Sequence, residues 1–295
     1  MKSNSVVNFI DRKFHYFCTL PAFIVILIVV AFPTLYGLYT SFFVRNLLRG
    51  KIYFTGFDNY IALFHDPIFW GDLYRTVIYT VGSLLIGFTL AFFLALALNS
   101  GIRLRVVFIV AILLPWMTPP VSGSIMWKWI IHDVYGLLNY VLLKIGIIDQ
   151  NVFWLGIPAT AMLFLVILDA WYRIPLSTLI LFAGMQRIPG ELYDAARVDG
   201  AGRWQTVWHV TIPFIRHEIL IALVIHSMFT FREFGFSYLL TGGGPGDKTQ
   251  VLALSIYKTA NLFLRQGYAA AMSIVMFILI TAFVTGYFKA IKTKV

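Results

Sequence analysis

The chain has 295 residues, of which 60% are apolar, 17% aromatic and only 12% charged, with a formal net charge of +10. A water-soluble domain is typically about 45–50% apolar and about 25% charged, and so few charges do not clothe a globular surface. Soluble, disordered and disulfide-scaffold classes are therefore excluded, the last because Cys18 is the single cysteine, which also removes any cysteine metal cluster. The solvent for most of this chain is lipid.

A helix needs about 20 apolar residues to cross a hydrocarbon core of roughly 30 Å. Stretches of that kind occupy 16–43, 76–98, 106–127, 155–183, 217–240 and 268–288, which predicts an all-α integral membrane fold of six spans. The runs are continuous rather than alternating, unlike the strands of a lipid-facing barrel. Lys2, Arg12 and Lys13 precede the first span, yet it is too long for the apolar part of a cleaved signal and lacks an Ala-x-Ala exit, so it reads as a helix. Pro33, Pro119, Pro120 and Pro175 fall inside spans, where a bundle can satisfy the freed backbone groups.

Segment 44–75 carries Tyr53, Phe54, Phe57, Tyr60, Phe64, Phe69 and Trp70, rings that suit either a collar at headgroup level or contact with an external partner. Segments 1–15, 99–105, 184–216 and 289–295 are richer per residue in Lys and Arg than 44–75, 128–154 and 241–267. Cationic loops stay inside, which predicts that both termini are cytoplasmic. The positive charge thus reads as topology, and no basic run is long enough for nucleic acid.

Four charges fall within predicted spans: Asp169, Arg173, Arg232 and Glu233. Each costs roughly 2.5–3.5 kcal/mol on insertion scales, so such groups face a bundle interior or a cavity. Asp169 and Arg173 are four apart and can pair on one helical face. Two readings stay open, a structural ion pair and a polar lining for a transported solute.

The inner loop 184–216 has an architecture of its own. Pro189 and Gly190 suit a helix start, and Glu191 then sits in the first turn, where the helix dipole favours an anion. Leu192, Ala195 and Ala196 share one face, Gly200 and Gly202 break the run, Trp204 and Trp208 lie one turn apart on a second short helix, and Pro213 sets the start of the next span. Two short helices joined by a glycine bend, bearing small residues, describe a docking knob or else a simple elbow between spans. After the fifth span, the run from Gly242 to Thr249 superficially resembles a phosphate loop, but Asp247 replaces the glycine before Lys248 and no strand precedes it. It reads as a tight external turn. The six histidines show no ligand spacing and no nucleophile elbow occurs, so neither a metal site nor an enzyme is expected.

The inner loop resembles the Glu-Ala-Ala motif of membrane subunits of bacterial ABC importers, through Asp194-Ala195-Ala196, Gly200 and Val210-Thr211-Ile212-Pro213. Asp stands for Glu, Val for Ile and Ile for Leu in that pattern. The longer form, Leu192 to Ala196 with Asp199-Gly200-Ala201, is similar to the carbohydrate-importer branch, which includes the larger maltose-transporter membrane subunit and the glycerol-phosphate and raffinose permeases. Gly56 to Tyr60, Asp66 to Trp70, Trp127, Gly136 to Asn139, and Leu240 to Pro245 with Thr249 extend the likeness over nearly the whole chain.

The resemblance implies a type I permease fold forming half of a sugar translocation pathway in the bacterial inner membrane. Implied partners are a second homologous membrane subunit, two ATPase subunits, an external solute-binding protein and lipid. It implies no cofactor in this chain, ATP and Mg being bound and ATP hydrolysed on the ATPase subunits. It assigns ATPase coupling to the loop residues Glu191, Asp194, Ala195, Ala196, Asp199, Gly200 and Pro213. By matched position it assigns substrate contact to Asp169, Tyr172, Arg173 and Leu176 on the fourth span and to His226, Phe229, Thr230 and Glu233 on the fifth. Arg173 stands where the maltose relative has Gly and Leu176 where it has Tyr, and an arginine there would also suit an anionic sugar. The rival class is an ion-gradient-driven transporter, which would show inverted repeats with broken helices.

Overall fold

The computed structural model describes residues 18–46 and 50–292. The expected cytoplasmic N-terminus 1–15, the first two residues of the first expected span and the last three residues of the chain lie outside the described residues. In chain order the helices are α1 (Cys18–Ser41), α2 (Asp58–Phe64), α3 (Pro67–Asn99), α4 (Arg105–Met117), α5 (Pro120–Ile130), α6 (Leu137–Lys144), α7 (Pro158–Met185), α8 (Gly190–Val198), α9 (Arg203–Phe214), α10 (Arg216–Phe231), α11 (Gly235–Leu240), α12 (Leu252–Asn261) and α13 (Gln266–Lys292). Between α1 and α2 stand β1 (Phe43–Asn46) and β2 (Lys51–Phe54), an antiparallel hairpin pairing Phe43 with Phe54 and Asn46 with Lys51. The all-α expectation departs at this one hairpin, in a segment whose apolar run is interrupted by Arg45 and Lys51.

Among the described residues, four helices are long and apolar enough to cross a membrane, and the number reaches six if each of two bent pairs counts as one span. The expected continuous helix at 106–127 is in fact α4 and α5, set 96° apart. The cause is local. A residue before proline is pushed out of the helical region, and Thr118 and Pro119, each followed by proline, are extended with ψ of 130° and 136°. Pro120 then opens α5 at the one helical position where a missing N–H costs nothing.

The expected span at 217–240 is corrected in two ways. Its helix α10 begins at Arg216, bent 75° from α9, with Pro213 lying in the last turn of α9 rather than at the start of α10. It ends at Phe231, and α11 restarts after Glu233 accepts the backbone N–H of Gly235 at 2.8 Å. The break holds Arg232 and Glu233, but the apolar residues on both sides of them make the stretch read as one span. α3, by contrast, begins well before residue 76, because the Asp66 carboxylate accepts the Ile68 N–H at 2.9 Å and Pro67 takes the first helical position. Its 33 residues span roughly 50 Å at the usual 1.5 Å rise.

The chain divides into two compact units, 1–65 with 258–275, and 66–257 with 276–295. In the first, Asn59 ties α2 to the start of the hairpin by donating to the carbonyls of Ser41 (2.8 Å) and Phe43 (2.9 Å), and Phe42 meets the Phe57 ring edge-on. Among the described residues, none in the most apolar stretch of α1 is buried.

The second unit is the bundle that builds the site. α3 and α7 form its most extensive helix pair. Ser83, Gly87, Ala91 and Ala95 are buried at every fourth position of α3, a small-residue stripe of the kind that lets helix backbones close up where lipid removes the hydrophobic drive to associate. Tyr79, Leu165, Leu168, Tyr172, Phe236 and Leu254 form one core layer, and Ala91, Ala95, Leu181, Met185, Ile215 and Ala222 another. The stretch after α11 turns through Gly242 and Gly243, both in the left-handed region (φ +64° and +92°), and Thr249 closes it by donating to the Gly244 carbonyl at 2.6 Å.

Candidate functional site

The packed helices bring Asp169 and Arg173 of α7 together with Glu233, in the break after α10. Asp169, on α7, is wholly enclosed. Its Oδ2 accepts the hydroxyls of Ser83 on α3 (2.5 Å) and Thr230 on α10 (2.6 Å), and its Oδ1 lies 3.1 Å from an Arg173 terminal nitrogen. That same nitrogen reaches Glu233 Oε2 at 3.0 Å, and the guanidinium stands 5.3 Å from the centre of the Phe229 ring. One arginine is therefore shared by two carboxylates and an aromatic face. Glu233 is also the acceptor that starts α11, so the network holds α7 to the break between α10 and α11.

The hydrogen bonds fix a histidine tautomer as well. Ser83 spends its single proton on Asp169, so the His226 Nε2, 3.0 Å from the Ser83 oxygen, must be the donor there. Nδ1 is then the acceptor and faces the Ser177 hydroxyl at 3.4 Å. His226 fits against α3 because position 87 is glycine: a Cβ there would lie 2.7 Å from His226 Cε1 and 3.3 Å from the Ala170 backbone.

In front of this network lies a small cleft of about 30 Å³, lined by Trp116, Tyr172, Arg173, Leu176, Ser177, Ile225, His226 and Phe229. Of the eight residues assigned to substrate by resemblance, Tyr172, Arg173, Leu176, His226 and Phe229 line it. Asp169, Thr230 and Glu233 do not; in this conformation they stand behind or beside the wall and position Arg173. Apolar and aromatic surface with a few converging polar groups is the usual make-up of a small-molecule site. Ser83, Gly87, Trp116, Ser177 and Ile225 were not picked out from the sequence. The four-residue spacing of Ser83 and Gly87 inside an apolar run was a usable signal for the first two. Nothing local marks Trp116, which enters the cleft because α4 stops at Met117.

The second cluster lies at the loop between α7 and α10. α8 buries none of its residues. Glu191 occupies its first turn, and Asp194 accepts from Arg197 at 2.9 Å with both side chains about 70% or more exposed. Ala195 is exposed and Ala196 half-buried, the Tyr193 hydroxyl sits 3.3 Å from that of Thr211, and the Tyr193 ring packs on the lower core layer. The helix ends in a Schellman turn: Gly200 N–H bonds the Arg197 carbonyl (3.1 Å), Ala201 N–H bonds the Ala196 carbonyl (2.9 Å), and Gly200 takes φ +76°. Asp199, just before it, is exposed. Two ties hold the base of the loop, Arg187 to Glu218 at 2.9 Å and Gln186 to Asn99 at 2.7 Å.

Comparison with known proteins agrees with this architecture. Residues 83–295 match the family described as binding-protein-dependent transport system inner membrane component. A sulfoquinovosyl glycerol transport system permease protein of Agrobacterium fabrum is 33% identical over 289 residues, covering 96% of this chain and 92% of the relative. A trehalose/maltose transport system permease protein of Thermococcus litoralis is 31% identical over 285 residues, covering 97% and 96%. Among solved structures, a chain of a bacterial ABC transporter involved in the import of the acidic polysaccharide alginate superposes with a TM-score of 0.83 at 25% identity, covering 98% of this chain and 99% of that one. By that match this chain belongs to the inner membrane components of binding-protein-dependent transport systems, with the type I ABC importer permease fold.

Proposed function

We propose that the chain is one of two membrane subunits of an ATP-driven sugar importer, with both termini in the cytoplasm. Two ATPase subunits bind ATP and Mg and carry out hydrolysis, a solute-binding protein delivers the sugar from outside, and this chain contributes no catalytic group or cofactor. The observation that carries the reading is α8: a nine-residue helix with no buried residue, held at a fixed angle by the Gly200 turn and the Tyr193 anchor. Such a helix is built to be covered by something else. Asp194 offers its charge to a cation of the ATPase, Ala195 and Ala196 permit close approach, and Glu191 and Asp199 flank the contact. Pro213 stiffens the last turn of the arm behind it.

Sugar is the substrate class that suits the residues lining the cleft, where Trp116, Tyr172 and Phe229 supply aromatic surface and Ser177, His226 and Arg173 supply hydrogen-bonding groups. The names of the relatives, which include transporters of sulfoquinovosyl glycerol and of trehalose and maltose, support it. The test is reconstitution in proteoliposomes with the cognate ATPase and binding protein, measuring sugar-stimulated ATP hydrolysis and uptake. Replacing Gly200 by valine should abolish stimulation and leave the protein inserted. Uphill sugar transport by this chain without ATPase subunits would overturn the proposal.

A further inference from the structure

Helix α9 takes no part in the reading above beyond carrying Pro213, yet its surface is unusual. It meets α10 at 75°, so when α10 crosses the bilayer α9 runs close to the plane of the membrane surface. Its inner side is anchored: Thr211 is buried and Val210 packs on the lower core layer. Its outer side carries Trp204 and Trp208, one turn apart and 61% and 64% exposed. The segment 203–217 holds Arg203, His209, Arg216 and His217 and not one acidic residue.

The indoles do not face open water on every side. Trp204 meets Phe93 of α3 edge-on, with ring centres 6.2 Å apart. Phe93 belongs to the outward surface of α3, with Leu85 and Leu90, on a helix long and apolar enough to cross a membrane. The tryptophan stripe is thus the continuation of an acyl-chain surface around the corner at the foot of the bundle. Indoles with one edge on hydrocarbon and an N–H toward water settle at headgroup level, and cations at that level are drawn to anionic lipid. A surface made only for another protein would have no reason to run on into the apolar side of a span.

We propose that α9 is an interfacial helix whose partner is the phospholipid leaflet at the foot of α10, with Trp204 and Trp208 at headgroup level and Arg203, Arg216 and the histidines toward anionic headgroups. It would hold the base of the α8 elbow at a fixed depth, so that a push on α8 turns α10 instead of sinking the whole loop. The inference stands on the membrane location alone and is independent of which solute is carried.

The assembled transporter in nanodiscs of phosphatidylcholine and phosphatidylglycerol provides the test. Trp204→Phe and Trp208→Phe each keep an aromatic ring, and wild type minus variant isolates one indole at a time from the eight in the chain. We expect that difference emission to be quenched at least twofold more by phospholipid brominated near the headgroup end of the chain than by aqueous iodide, with and without the ATPase subunits. Quenching by iodide but not by bromolipid overturns the proposal. Iodide quenching that disappears when the ATPase binds also overturns it and assigns the stripe to that partner. A measurement on the unmodified protein guards against misfolded variants: photoactivatable phosphatidylglycerol should cross-link within residues 203–216. Labelling confined to the spans would refute the assignment.

Discussion

Asp169 and Asp194 are the same residue with the same kind of partner, an arginine one helical turn onward, and the structure puts them to opposite uses. Asp169 is sealed between α3, α7 and α10 with two hydroxyls and Arg173 upon it, whereas Asp194 and Arg197 stand in the open on α8. An exposed pair is worth roughly 0.2–1 kcal/mol, because water already solvates both ions. Removing one member of a buried pair costs about 3–5 kcal/mol, because the other is left desolvated. Identical sequence chemistry therefore stabilises the fold at one site and is left available to a partner at the other.

The sharpest way to break this comparison is Asp169→Ala. It should leave Arg173 with Glu233 alone and the buried Ser83 and Thr230 hydroxyls without their acceptor, at about 1–3 kcal/mol for each such group, seen as a large fall in thermal stability of the detergent-purified protein. An unchanged melting curve with uptake lost would mean that Asp169 serves the solute and not the bundle. Next in size, Gly87→Ala should cost about 1–3 kcal/mol by overpacking, since the added carbon would meet both His226 and the α7 backbone. Uptake should fall along with stability, because His226 lines the cleft, and a partner change of His226 to a smaller residue should restore the stability.

Gly200→Ala is expected to be smaller still, about 1–2 kcal/mol for a left-handed alanine. Open space surrounds the position, so strain is the whole effect. The consequence is local: α8 should fray in hydrogen exchange, and solute-stimulated ATPase should drop several-fold while the melting temperature of the bundle holds. Smallest of all for the fold is Asp194→Asn, which should change stability by no more than about 1 kcal/mol. Its effect belongs in the affinity for the ATPase subunits, measured by co-purification. A fall in stability comparable to that of Asp169→Ala would erase the distinction between the two regions.

Much of the molecule was legible before any coordinates. Composition gave the solvent, run length gave the helices, and Pro189, Glu191 and Gly200 gave the start, the polarity and the stop of α8, because those signals act within a few residues. The breaks were harder. Thr118-Pro119-Pro120 reads as tolerable inside a span, although its local sterics end α4, while the end of α10 depends on Glu233 reaching the Gly235 N–H, a contact that the charge itself does not announce. Intramembrane charge pointed to Asp169, Arg173 and Glu233, but not to the hydroxyls that satisfy them.

What the sequence determined by itself was therefore the membrane class, the elements and the shape of the elbow that carries α8, all set by short-range periodicity and backbone preference. Only the tertiary structure decided that Ser83 and Thr230 both meet Asp169, that Trp116 faces the cleft, and that Trp204 joins the outer surface of α3. Each of these is a contact between residues dozens to more than a hundred positions apart, brought about by how closely the small stripe of α3 lets α7 and α10 approach. Local rules carry no information about such distances.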